Sequence, residues 1–180
     1  MKLRFPEACI LEWASKYTYQ RDEQSLIDID PIIKKAGFLT KAQLRQVAKW
    51  KSPRSAGRIE KNNEEYIREI TSMSFSAKTE RGRIAILTLL DGIEWPSASV
   101  ILHFFHKLEY PILDFRALWS VNENAPSQYS FDFWWVYVEY CRELAQRNHV
   151  NMRTLDRALW QYSKENQGEL QGSLKPRTSV

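Results

Sequence analysis

The chain predicts an all-α fold in a single domain, and three observations carry that prediction. Apolar residues recur at helical spacing along most of its length, and no run alternates as a half-buried strand does. Gly and Pro are sparse, at 6 and 7 of 180 residues. Helix-start residues stand at the head of several apolar stretches, where unpaired backbone amides need partners. With 43% hydrophobic residues the chain is long enough to bury a core. Residues 1–167 are therefore read as one helical domain, and the polar residues 168–180 as a flexible tail.

A first helix is expected over about residues 6–17, with Ile10, Leu11 and Trp13 as its apolar positions. Asp30-Pro31 reads as the start of a short second helix, because Pro suits a first-turn position where no N–H partner is needed; Gly37 ends it. Thr40 and Gln43 stand at capping-box spacing and open a helix carrying Leu44, Val47 and Trp50. Ser52-Pro53 stops that helix, since Pro disfavours a helical residue before it. Helices over about 63–74 and 79–90 follow, then a tight turn at 91–95 and a helix led by Pro96 to about Phe105. After Tyr110-Pro111, Asp114 opens a short helix to about Val121, and residues 122–128 form a loop. The helix over about 130–148 is apolar nearly all round its first half, which predicts a central, buried helix. Asn151 caps a last helix with Leu155, Leu159 and Tyr162, ending near Asn166.

Seven Trp, eight Tyr and eight Phe predict an aromatic-rich core. The net charge is +4, but its distribution says more. Lys41, Arg45, Lys49, Lys51, Arg54 and Arg58 fall in one run with no acid among them. That run is either a surface for a polyanion or a solvated basic helix face. Cys9 and Cys141 alone cannot supply the four thiolates of an iron–sulfur cluster or an ordinary zinc site. They read as reduced thiols, and a cytoplasmic location is expected. Glu7 and Glu12 break any apolar run near the start, so the N-terminal segment reads as neither signal peptide nor membrane span. His103 and His106 have metal-compatible spacing without an evident third ligand, and His103 lies among Ile101, Leu102 and Phe104. No metal and no cofactor is expected, and no phosphate-binding Gly loop or hydrolase motif is present.

The segment that carries chemistry is Leu89–Arg116, LLDGIEWPSASVILHFFHKLEYPILDFR. An apolar helix stops at a Gly-containing turn, a second apolar helix leaves it, and a Pro-led turn delivers Asp114 to the start of a third. Asp114 is a preferred N-cap, and it precedes the helical run Phe115-Arg116-Ala117-Leu118.

This order resembles the helix-hairpin-helix DNA glycosylases, the endonuclease III and 3-methyladenine glycosylase superfamily, over roughly a fifth of the chain. Leu90, Gly92, Ile93, Ser97 and Ala98 match the family's hairpin pattern, in which exposed amides at a helix start attract a phosphate. Glu94 replaces the second Gly, and its charge opposes a phosphate there. Pro96 occupies the position where strand-cleaving members carry a Lys whose amine forms a Schiff base. The resemblance therefore implies a monofunctional enzyme without the iron–sulfur module. It would hydrolyse the N-glycosidic bond of a modified base, with Asp114 as the catalytic carboxylate.

The resemblance also implies DNA contacts through Gly92, Ile93, Trp95, Ser97 and Arg116. Lys51 and Arg54, on the turn after the capped helix, read as a second strand-binding site. Trp95 is either a wedge or a core ring, and Arg116 either a phosphate ligand or an ion-pair partner. The aromatic helices around Trp13, Trp50 and Trp134 are expected to line the base pocket. The partner is then duplex DNA with a flipped base, bound by a monomer with no membrane involvement. Two rivals fit the same chain: a non-catalytic DNA-binding module of this fold, and a helical protein–protein interaction domain.

Overall fold

The computed structural model describes residues 1–19, 21–54 and 56–168, and among them every regular element is helical. A 3-10 turn, Glu7–Cys9, leads into α1 (Ile10–Ser15). Then come α2 (Gln24–Ala36), α3 (Lys41–Lys51), a 3-10 segment (Ala56–Lys61), α4 (Glu64–Ser76) and α5 (Glu80–Leu87). The chain closes with α6 (Trp95–Phe105), α7 (Phe115–Ser120), α8 (Phe131–Arg147) and α9 (Met152–Asn166). The tail expected from Gly168 onward lies outside the described residues from position 169. No described helix is long and apolar enough to cross a membrane.

Local signals set most boundaries. Thr40 and Gln43 form the full capping box: the Gln43 amide donates to Thr40 Oγ1 at 3.3 Å, and the Thr40 amide donates to Gln43 Oε1 at 2.8 Å. Asn63, Thr79, Asp114, Ser130 and Asn151 each accept a first-turn amide of the helix they precede. Gly37 ends α2 at φ +77°, a conformation that costs Gly little.

Two expectations fail for tertiary reasons. Helix α2 begins at Gln24, so Pro31 lies inside it and does not start it. Pro31 and Ile27 are both exposed, so water can satisfy the Ile27 carbonyl that Pro31 has no N–H to reach. The early start is fixed by Glu23, whose carboxylate pairs with Arg153 and Arg157 of α9. The buried central helix is α6 and not α8: eight of its residues, including Ser97, Ala98 and Ser99, are buried. Those small residues admit close neighbours, and α2, α3 and α5 pack around it. Helix α8 packs on α5 and α9, leaving Val136 53% exposed.

Around that centre, α1 and α7 pack on α9, and α4 packs on α5. The N-terminal residues run beside the end of α7, with the Lys2 and Arg4 amides donating to the Val121 and Ser120 carbonyls. This arrangement brings the C-terminal end of α3, the N-terminal end of α7 and the middle of α9 together.

Candidate functional site

The site begins with the extended segment before α7. Its backbone groups are tied to side chains from three helices, as buried polar groups require. The Ile112 amide donates to Asp156 Oδ1 at 3.2 Å, and the Ile112 carbonyl accepts from the Tyr137 hydroxyl at 3.3 Å. The Leu113 amide donates to Ser99 Oγ at 2.8 Å. Upstream, Tyr110 stacks on Trp134 with centroids 5.7 Å apart, and its hydroxyl donates to Glu80 Oε2 at 2.6 Å. The segment therefore delivers Asp114 from a fixed base.

Asp114 is both cap and ion-pair partner. Its Oδ1 accepts the Arg116 amide at 2.9 Å, and its Oδ2 lies 2.7 Å from Lys51 Nζ. The two side chains are 20% and 10% exposed, so the pair is largely removed from water. Lys51 is the last residue of α3, and Arg21 donates to the Trp50 and Lys51 carbonyls that end that helix. The Tyr19 hydroxyl also donates to the Trp50 carbonyl, at 3.2 Å.

Around this pair Tyr17, Tyr19, Trp50, Trp160, Ile112, Ala117 and Asp156 wall a cavity. Tyr19 meets Trp50 and Trp160 edge-on, each at 5.2 Å between centroids, and Tyr17 meets Trp160 at 5.4 Å. The free space is about 20 Å³, room for about one water, so a planar ligand enters only if a wall shifts.

The two carboxylates differ in electrostatic setting. Burial alone would raise the Asp114 carboxyl, but the Lys51 charge and the hydrogen bonds from Lys51 and the Arg116 amide outweigh it and hold it below its ordinary value. Asp156 is pushed up to about 6 by burial, with the nearby Asp114 charge adding to the rise; Arg153 and Lys51 only partly offset it. Arg153 pairs with both Asp156 and Glu23, and its Nη2 donates to the Tyr17 hydroxyl at 3.0 Å. At pH 7 the pocket holds ionised carboxylate facing an ammonium, backed by a charged network.

Of the residues expected to act, the structure unites Asp114, Lys51 and Arg116. The Arg116 guanidinium lies over Phe115 at 5.2 Å and Trp160 at 5.7 Å, and its charge contributes to the low Asp114 value. Lys51 is not the surface strand-binding residue expected, because it points inward to Asp114. Arg54 is exposed on the turn after α3.

Gly92, Ile93, Trp95 and Ser97 do not line the cavity. Gly92 has φ +85°, as a tight turn demands. Ile93 and Ser97 are buried as whole residues, at 2% and 5% exposure, so neither is presented to a partner, while Gly92 between Asp91 and Ile93 is partly exposed. Glu94 caps α6 by position but makes no side-chain cap hydrogen bond. Trp95 is half-buried, 6.3 Å from Trp134.

Of the three Trp residues expected at a base pocket, Trp50 lines this cavity, and Trp13 and Trp134 do not. Trp13 packs on Phe5 and Tyr162, and Trp134 on Tyr110.

Several residues of the site carry no sequence signal. Tyr17, Tyr19, Asp156 and Trp160 meet only through the packing of α9. Asn62 is buried within a polar stretch and clamps the α5–α6 turn, donating to the Asp91 carbonyl at 3.0 Å and accepting its amide at 2.9 Å. His103, expected in the interior, is only partly buried; its Nδ1 lies 2.6 Å from the Tyr110 carbonyl, and desolvation together with the Arg153 charge pushes it down to about 3. No cluster of three or more metal-ligating side chains occurs among the described residues. No protein-family description, no curated protein and no solved structure matches this chain.

Proposed function

We propose that this chain binds DNA and hydrolyses the N-glycosidic bond of a modified or damaged base, as a base-excision enzyme of the helix-hairpin-helix glycosylase kind. The observation that carries the reading is Asp114. It is a carboxylate held ionised beside Lys51, at the start of a short helix, facing a cavity walled by aromatic rings. Breaking the bond builds positive charge on the sugar, and a preorganised carboxylate stabilises that charge and orients a water. The rings suit the face of an extruded base once a wall of the cavity has moved, since the resting space holds about one water, and extrusion from the stack costs roughly a few kcal/mol. The exposed cations Lys49, Arg54 and Arg58, with the backbone of the Gly92 turn, are assigned to the DNA strands. Repair is the proposed role, and Asp114 is the residue on which it stands or falls.

The test is a panel of duplexes bearing modified bases, assayed for abasic sites. Wild-type protein should release at least one base. Asp114→Asn should slow release by roughly 10² to 10⁴ while DNA affinity survives, on the scale of a lost acid–base group. Wild-type release rates in a folded Asp114→Asn protein would reduce Asp114 to a cap and end the mechanism. Glu94 favours a second reading, a DNA-binding module without chemistry, since its carboxylate stands where a phosphate would approach. Salt-dependent DNA binding with no base released from any substrate would select that reading.

A further inference from the structure

A groove of about 420 Å³ lies at the end of α7 opposite Asp114, walled by Lys2, Leu3, Arg4, Trp119, Asn122 and Tyr162. Small-ligand sites span roughly 300–1,000 Å³, so this one admits a ligand without a wall moving. The N-terminal residues build it. The Lys2 and Arg4 amides each donate at 2.9 Å, to the Val121 and Ser120 carbonyls, and the Tyr162 hydroxyl donates to the Arg4 carbonyl at 3.1 Å. Trp119 stacks with Tyr162 at 5.8 Å between centroids, and the Arg4 guanidinium carbon lies 4.5 Å from the Trp119 ring centroid.

The polar groups of this groove are largely unengaged. Arg4 uses Nε on the Trp119 carbonyl, and its terminal nitrogens have no partner among the described residues. The Lys2 ammonium and the Asn122 side-chain amide also have none there, and all three residues are exposed. No carboxylate lines the groove, so it offers nothing to a metal ion or an amine. The open cleft at the start of α9 differs: Glu109 lines it, and its Lys34 and Arg153 already pair with acids.

We propose that this groove binds a nucleotide, with its phosphate on Lys2 and Arg4 and its base against Trp119 and Asn122. A guanidinium with free terminal nitrogens matches two phosphate oxygens, and the neighbouring ammonium adds a point charge. The indole and the guanidinium offer flat surfaces to a base, and the Asn122 amide can both donate to and accept from a base edge. The site is independent of base excision, since it lies outside the Asp114 cavity. The nucleotide has two sources, a free nucleoside monophosphate or an unpaired residue of a strand.

Calorimetry on the full chain with deoxyadenosine monophosphate tests this, with inorganic phosphate and deoxyadenosine as partial ligands. The nucleotide should bind at least about tenfold tighter than either part, because both halves of the groove are then filled. Lys2→Gln with Arg4→Gln should weaken it by at least about tenfold, on the scale of hydrogen bonds to charged groups. Lys35→Gln, at an exposed lysine of α2, should not. Asn122 has φ +61°, so Asn122→Gly removes the amide without straining the turn. That variant should weaken the nucleotide and leave inorganic phosphate unchanged, and it decides the matter if the double variant fails to fold. No binding at millimolar nucleotide, phosphate bound as tightly as the nucleotide, or undiminished affinity in a folded double variant would overturn the proposal. Competition against the mononucleotide then separates the sources. Displacement by a duplex with an unpaired overhang, but not by a blunt duplex, assigns the groove to a strand. Displacement by neither assigns it to a free nucleotide, and equal displacement by both would leave only a phosphate surface and sink the base site.

Discussion

The cations between Lys41 and Arg58 divide into two regions in the structure. Lys51 turns inward and meets Asp114, with both side chains largely buried. Lys49, Arg54 and Arg58 stand exposed on the outside, and no carboxylate is paired with them among the described ion pairs. Lys41 and Arg45 are exposed to different degrees but share Glu60, so their charge is partly cancelled locally. The same residue type therefore does opposite things within one short stretch. Inside, a charge is tied to one partner, and removing it leaves the other uncompensated in a poor solvent for ions. Outside, a charge contributes little to folding and instead shapes the field that a polyanion meets.

The sharpest way to break this comparison is to remove the inner cation. Lys51→Met should destabilise the protein by about 3–5 kcal/mol, the usual cost of orphaning one member of a buried pair. Adding Asp114→Asn should restore most of that loss, because the amide still caps α7 without needing a counter-ion. Capping alone would make Asp114→Asn a change of roughly 1 kcal/mol; by itself it also strands the Lys51 charge, so a larger loss is expected. Urea unfolding of the two single variants and the double variant measures the coupling. Losses that simply add would mean that the pair does not hold the site together.

A second, smaller effect separates the two buried carboxylates by pH. Asp156 has its folded value raised to about 6, above the ordinary 3.8. An acid raised on folding contributes most below its unfolded value, and that contribution is lost as pH rises through about 6. Asp114 is held below 3.8, so its contribution is present above the unfolded value and lost as pH falls through the folded one. Stability measured from pH 3 to 7 should therefore carry two opposing slopes, by linkage. Asp156→Asn should remove the decline between about pH 4 and 6, and Asp114→Asn the decline at the acid end. An unchanged profile for Asp156→Asn would mean that Arg153 holds Asp156 ionised throughout.

These contrasts also mark what a sequence can and cannot reveal. Helix caps are local, so Thr40, Asn63, Asp114, Ser130 and Asn151 are legible from the residues that follow them. The start of α2 is not, because Glu23 is fixed by Arg153 and Arg157 more than a hundred positions away. Helix α8 departs from its expected central place for a related reason. Apolar residues all round a helix announce burial only when other helices arrive to cover each side, and none covers Val136. At the site, Asp114 is legible through the order of turn and helix. Its partner Lys51 stands out in the sequence only as a basic residue near a turn, and periodicity says nothing about a pairing 63 positions apart. The aromatic wall of Tyr17, Tyr19 and Trp160 is invisible in the same way, since those rings converge only when α9 packs beside α1.

The exposed cations should give the smallest effect on folding and a distinct effect on binding. Replacing Lys49, Arg54 and Arg58 together with Gln removes no buried partner, so stability should stay within about 0.5 kcal/mol. If the proposed DNA surface is right, each phosphate deprived of its cation should lower the slope of log affinity against log salt by about 0.9. The triple variant would then lose up to about 2.7 from that slope, with all sequences weakened alike because phosphates carry no sequence information. Base release at saturating DNA should be unchanged, because none of the three lines the cavity. Lys51 must stay in place for this experiment: its loss would perturb folding and Asp114 at once, and a weakened affinity would then report neither region. An unaltered slope in the stable triple variant would leave these residues as a solvated face and move the DNA surface elsewhere, while the Asp114–Lys51 pair would keep its own tests intact.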